Sequence, residues 1–164
     1  KTTNGERSQE ALEPMRKRAA QGSIRVIDAQ LRGDEVRSLI RTCDAYVSLH
    51  RSEGFGLTVA EAMAHGKPVI ATAWSGNADF TGPETALPVR HRLVEIEKDV
   101  GPYGRGQHWA EPDLDHAAEQ MRWVFENRSA AAELGARASR RIREQLSPER
   151  IGEMVRDRLE RTAG

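Results

Sequence analysis

This chain is poor in cysteine, in long apolar runs and in net charge, and each shortage removes a class of function. Cys43 is the single cysteine in 164 residues, which excludes an internal disulfide and a thiolate metal cluster. Its place at a helix end beside Ile40 reads as a small core residue rather than a nucleophile. No stretch approaches the roughly 20 apolar residues needed to span a bilayer as a helix, and no signal peptide is recognisable. Basic and acidic residues balance at 25 each, so no global charge points to nucleic acid or to a membrane surface. The basic residues are nearly all arginine, interleaved with glutamate along helical stretches as on solvated faces. His91, His108 and His116 have no metal-ligand spacing. No repeat or low-complexity linker breaks the chain. What remains is a cytoplasmic domain over 1–164, long enough for one well-buried core.

What is present is an alternation of strand-like and helix-like stretches. Residues 1–5 read as the tail of a strand entering a turn. Ser8 is placed to cap a helix over 9–21, with acidic residues near its start and basic ones nearer its end. Gly22 stops it, and the β-branched run 24–28 predicts a strand. Gly33-Asp34-Glu35 opens a helix with Val36, Leu39, Ile40 and Cys43 on one face. Apolar 45–49 predicts a buried strand, 57–65 a small-residue helix stopped at Gly66-Lys67-Pro68, and 69–72 a further strand. Ser75-Gly76-Asn77-Ala78-Asp79 is a second small-residue turn opening a short helix. Residues 86–89 predict a last strand, which Pro88 places at an edge or ends. The glycine- and proline-rich segment 90–112 lacks periodicity and reads as a long loop. Helices are expected over about 115–126, 129–145 and 148–161. This order argues for an α/β fold with a doubly wound parallel sheet and a helical C-terminal tail.

The chemistry concentrates where strand 45–49 meets helix 57–65. A parallel α/β sheet binds ligands beyond the carboxyl ends of its strands. The first-turn N–H groups of the following helix lack intrahelical partners and carry partial positive charge, which suits a phosphate. Gly54-Phe55-Gly56 by itself fits tight packing as well as ligand approach. The flanking carboxylates add to it. Glu53 lies at the strand's carboxyl end, and Glu61, one turn into the helix, leans back toward the same crevice. A carboxylate reaching a ribose diol beside a helix-bound phosphate follows the logic of dinucleotide sites. Ala60, Ala62, Met63 and Ala64 mark that helix as buried, and a buried glutamate needs partners.

Glu53, Glu61 and the following Ala62-Met63-Ala64-His65-Gly66-Lys67-Pro68-Val69-Ile70-Ala71 resemble the signature of family 4 retaining glycosyltransferases with the GT-B fold. Ser75-Gly76-Asn77-Ala78-Asp79 is similar to that family's second nucleotide-sugar loop, and the match runs in register from about Leu31 through Val89. The resemblance implies the C-terminal, donor-binding half of two Rossmann-like domains, with the acceptor held mainly by an N-terminal domain. Carried over, it places Glu53 by the donor sugar and the reacting centre. The backbone of Gly54, Phe55, Gly56 and Leu57 then meets the sugar or diphosphate, Thr58 lies beside the phosphates, and Glu61 takes the ribose hydroxyls. Arg51, Gly76 and Asn77 are further candidates. The resemblance further implies a nucleotide-diphosphate sugar as donor, no metal and no other cofactor, and a glycan or lipid-linked glycan as acceptor.

Two departures stand out. The family's diphosphate-binding arginine and lysine would precede Lys1, so the chain reads as a fragment lacking its first strand and acceptor domain, inactive in isolation. In the full-length enzyme a peripheral membrane position is compatible with such an acceptor. His50-Arg51 stands where many relatives carry proline and serine. Arg51 either assists the diphosphate or is a structural loop arginine, and His50 reads as a hydrogen-bonded loop histidine rather than a base. Asp113-Leu114-Asp115 has metal-motif spacing, yet following Pro112 and opening a helix it reads as an N-cap. Trp109 either stacks on a ligand or pins its loop, Trp74 borders the second turn, Trp123 with Val124 reads as helix core, and Lys67 as solvated. The rival functions are a GT-B phosphorylase or nucleotide-sugar epimerase, and a non-catalytic interaction module. Ile151, Met154, Val155 and Leu159 form a stripe fit for an orphaned interdomain face.

Overall fold

Val69–Thr72 is four residues of unbroken burial, as a strand in the middle of a parallel sheet covered on both faces requires. In the computed structural model, which describes residues 13–22 and 24–163, this strand (β2) lies between β1 (Tyr46–Ser48) and β3 (Leu87–Val89). Both pairings are parallel, with Val47 opposite Ile70 and Ile70 opposite Leu87. Pro88 sits on edge strand β3, where its missing N–H costs the ladder least.

The chain divides into two units, residues 1–33 and 34–164. The first contains helix α1 (residues 13–19) and a turn at 20–22. Within it the guanidinium of Arg16 pairs with the carboxylate of Asp28. The strand expected over 24–28 does not form: the segment is irregular, with Ile24 and Ile27 exposed. β-Branched composition favours a pleated, half-buried surface, but a strand also needs a neighbour, and these residues find none among the described residues of their unit. The strand tail at 1–5, the Ser8 cap and the first part of the helix over 9–21 lie outside the described residues.

In the second unit α2 (Gly33–Thr42) carries Asp34 and Glu35 in its first turn and Arg41 in its last, each complementing the helix dipole. Helix α3 (Leu57–Ala64) joins β1 to β2. Successive β2 side chains point to opposite faces, and the core divides accordingly. Val69 and Ala71 pack with Ile40 of α2, Val59 and Met63 of α3, and Ala138 and Ile142. Ile70 packs the other way with Val89, Ala117, Val124 and Ala131. Ala117 and Val124 belong to α4 (Leu114–Glu126), and Ala131, Ala138 and Ile142 to α5 (Arg128–Leu146). Burying a side chain such as Met63 or Ile70 contributes about 2 kcal/mol. The Ser139 hydroxyl also donates to the Ala64 carbonyl at 2.9 Å, fixing α5 to the end of α3. Trp123, expected beside Val124 in the core, is instead exposed. Helical spacing turns it off the face that Val124 and Ala117 bury.

The segment 90–112 is not a loop but a hairpin, β4 (His91–Glu95) antiparallel to β5 (His108–Pro112), with Val94 opposite Trp109. Its glycines and Pro102 occupy the connection between the strands. The strands mix charged and apolar residues on both faces, so no alternation announces them. Helix α6 (Pro148–Ala163) ends the fold with Ile151, Met154, Val155 and Leu159 exposed. Among the described residues no helix is long and apolar enough to cross a membrane.

Candidate functional site

The carboxyl ends of β1 and β2 each run into a tight turn, and the two turns press against one another. A β-carbon added at Gly76 would lie 2.0 Å from the Gly54 carbonyl oxygen. Only glycine permits that approach. Gly56, at φ 86°, adopts the left-handed region and enters α3 without a side-chain cap. Ala60 donates to the Gly56 carbonyl at 2.9 Å, the first bond of the helix. The N–H groups of Leu57, Thr58 and Val59 therefore precede the ladder. Across the junction Ser75 holds φ 72° and ψ −160°, a glycine-only region that costs a serine about 1–3 kcal/mol. The second turn continues as a short 3-10 helix over Gly76–Asp79.

A histidine fastens the turns together. His50 Nε2 faces two oxygen acceptors, the Trp74 carbonyl at 3.1 Å and Asn77 Oδ1 at 3.0 Å, so it carries hydrogen and donates. Its Nδ1 is 3.0 Å from the Ser48 hydroxyl. Asn77 is fully buried and its Nδ2 donates to the Thr72 carbonyl at 3.0 Å, which fixes the orientation of the amide. His50 is thus the hydrogen-bonded loop residue that its position suggested. The Asn77 side chain is committed to joining the two turns, while Gly76 brings its backbone against that of Gly54.

The expected donor residues share this junction. Glu53 and Glu61 are half-buried, and among the described residues neither carboxylate has a hydrogen-bond or ion-pair partner. Thr58 accepts a hydrogen bond from the Tyr46 hydroxyl at 2.7 Å. Phe55 rests on Phe80 with ring centroids 5.2 Å apart, and Leu57 is exposed. Gly54 differs from its neighbours: a β-carbon there meets nothing within 4 Å. Among the described residues no contact demands glycine at that point.

Arg51 points elsewhere. Its guanidinium pairs with Glu111 at 2.7 Å and lies 4.9 Å from the Trp109 ring centroid, while its carbonyl accepts from the Ala110 N–H at 2.9 Å. Trp109 thereby pins the hairpin to the glycine turn. The charge balance of Arg51 and Glu111, distant in sequence and both on irregular patterns, gave no signal of this contact. Trp74 stacks on His91 at 5.4 Å beside the second turn. The Thr72 hydroxyl, at the carboxyl end of β2, is buried without a partner.

Asp113 proves to be the N-cap of α4, accepting from the His116 N–H at 2.9 Å. That backbone bond, with the neighbouring Arg90 guanidinium at 3.3 Å, holds its carboxyl below the ordinary value of 3.8. Among the described residues no cluster of His, Cys, Asp and Glu is placed to hold a metal ion.

Comparison with known proteins agrees with this arrangement. The family model described as "Glycosyl transferases group 1" matches residues 4–141. A trehalose synthase of Pyrococcus horikoshii is 30% identical over 113 residues, 68% of this chain and 22% of the relative. A trehalose synthase of Thermococcus litoralis is 30% identical over 112 residues, again 68% and 22%. An uncharacterized glycosyltransferase of Methanocaldococcus jannaschii is 54% identical over 43 residues, 26% of this chain and 12% of the relative. The chain thus spans about a fifth of the length of the trehalose synthases it matches. With an α/β sheet, paired turns at its carboxyl edge and this match across most of its length, the chain belongs to the group 1 glycosyl transferases.

Proposed function

We propose that this chain is the C-terminal, donor-binding domain of a family 4 retaining glycosyltransferase of the GT-B fold. The complete protein would transfer a hexosyl group from a nucleotide-diphosphate sugar to a glycan or lipid-linked acceptor in the cytoplasm. One observation carries the proposal: two half-buried carboxylates, Glu53 and Glu61, stand without partners on either side of an uncapped helix N-terminus. Leaving polar groups half-buried and unmatched is costly, and a ligand with a diol, a diphosphate and a sugar would match all of them.

In this assignment the diphosphate lies against the first N–H groups of α3, with Thr58 beside it, and the backbone at Gly54 and Gly56 allows close approach. Glu61 accepts from the ribose hydroxyls. Glu53 lies at the sugar, where a carboxylate stabilises positive charge developing at the anomeric carbon. The anomeric C–O bond breaks with its electron pair leaving on the diphosphate. An acceptor hydroxyl forms the new bond on the same face and gives its proton to the departing diphosphate oxygen, so configuration is retained. His50 and Asn77 hold the turns in register, and no metal or further cofactor enters the proposal. The relatives named for trehalose synthesis support a sugar acceptor.

Product assay on the full-length protein tests the role of Glu53. Glu53→Gln keeps the shape and removes the charge, and should lower transfer at least ~100-fold. Near-normal turnover would remove Glu53 from the reacting centre.

A further inference from the structure

Beside the glycine turn, under the β4–β5 hairpin, lies a cavity of about 480 Å³ walled by Trp109, Val94 and Val100 and rimmed by Arg51 and Glu111. Its size falls within the range of small-molecule pockets. We propose that it is a pyranose-binding subsite, distinct from the nucleotide contacts, which takes a sugar unit of the acceptor. The inference rests on the donor-site assignment above.

The chemistry of a pyranose sets the requirement. Its axial C–H groups form an apolar face that packs on aromatic and aliphatic surface, and its hydroxyl rim needs planar side chains that donate and accept. Strand register puts Val94 opposite Trp109 and Arg92 opposite Glu111, so Val94, Trp109 and Glu111 project on one side of the hairpin. The apolar wall and an acceptor therefore lie together. Arg51 supplies the donors, since a guanidinium has five N–H groups and its side-chain pairing is with one oxygen of Glu111. Trp109 is held from two directions, by Arg51 at 4.9 Å and by the edge of Tyr103 at 6.1 Å. A wall fixed before binding lowers the ordering cost of a weak ligand.

A purely structural account would have the Arg51–Glu111–Trp109 set do no more than fasten the hairpin. That role requires neither an open cavity nor Val100 standing 41% exposed at its mouth. The donor's own sugar shares the pyranose chemistry, but Glu53, Gly54, Glu61 and Gly76 do not line this cavity. Position therefore favours the acceptor. Arg51 lies two residues before Glu53, so a sugar seated here would lie next to the proposed reacting centre.

Heteronuclear NMR on this chain separates the sources. Methyl glycosides of glucose, mannose, galactose and N-acetylglucosamine form one arm, and uridine, guanosine and adenosine diphosphates the other. At least one glycoside should shift the Trp109 indole N–H and the Val94 and Val100 amides, leaving the amides of Gly54 to Glu61 in place. Trp109→Leu should weaken that binding about tenfold. Val100→Trp, which fills the mouth from an exposed position without disturbing Trp109, should do the same. Glycosides that shift the Gly54–Glu61 amides instead would assign the pyranose to the donor turn and overturn the proposal. Absence of any Trp109 response to all four would overturn it as well. Failure of the donor-site assignment reads out separately, as no response of Gly54–Glu61 to the nucleoside diphosphates.

Discussion

Gly54 and Gly56 stand in one turn but are glycine for different reasons. Gly56 has a left-handed φ, and a β-carbon on it would touch Asn77 at 3.0 Å. Gly54 has no described atom within 4 Å of an added β-carbon and a φ outside the left-handed region, so in the proposed site its bare backbone serves the approach of the ligand. Gly54→Ala should therefore leave thermal stability within about 1 kcal/mol of the parent while weakening nucleotide binding in a calorimetric titration. An unchanged titration would show that no ligand approaches there. Glu53, Gly54, Gly56 and Glu61 were legible in the sequence because their spacing across a strand–helix junction is itself chemical information. The His50–Asn77 bond was not. It joins residues 27 positions apart, and nothing in the local pattern of either selects the other.

Elements whose periodicity reflects burial were easiest to read. β2 is apolar at every buried position except Thr72, and α3 places Val59, Ala60, Ala62 and Met63 inside, so hydrophobic pattern and structure largely agree. The hairpin escaped because β4 and β5 draw their order from each other and from Arg51 rather than from a core. The run 24–28 is the opposite case, with strand composition but no strand neighbour among the described residues of its unit. The Asp113 cap of α4 makes a prediction in pH. Its carboxyl is held below the ordinary value chiefly by the His116 N–H, and then by Arg90. A depressed folded-state value means the cap's stabilisation is fully present above about pH 4, near the ordinary carboxylate value. It fades as pH falls through the lowered folded value. In melting curves the parent should exceed Asp113→Ala at neutral pH and converge with it in acid. A difference that persists unchanged in strong acid would mean that the ionised carboxylate is not what caps the helix.

In the second unit, burial occupies the faces of the sheet and the candidate site its carboxyl edge. Helices α2, α4 and α5 bury its faces. The carboxyl edge is left to two turns that are strained at Ser75, tied by His50 and open at Glu53, Gly54 and Glu61. Strain and unmatched carboxylates concentrated at one edge are expected of a ligand site and not of a scaffold. The exposed stripe of α6 extends the account no further, because nothing in the structure covers it. Calorimetry of the parent and Glu61→Ala against a panel of nucleoside diphosphates and nucleotide sugars tests the central claim most directly. The parent should bind at least one of them, and Glu61→Ala should weaken that binding roughly 10- to 100-fold, the worth of a charged hydrogen bond. Equal affinities in the two proteins, or no heat from the parent with any member of the panel, would contradict it.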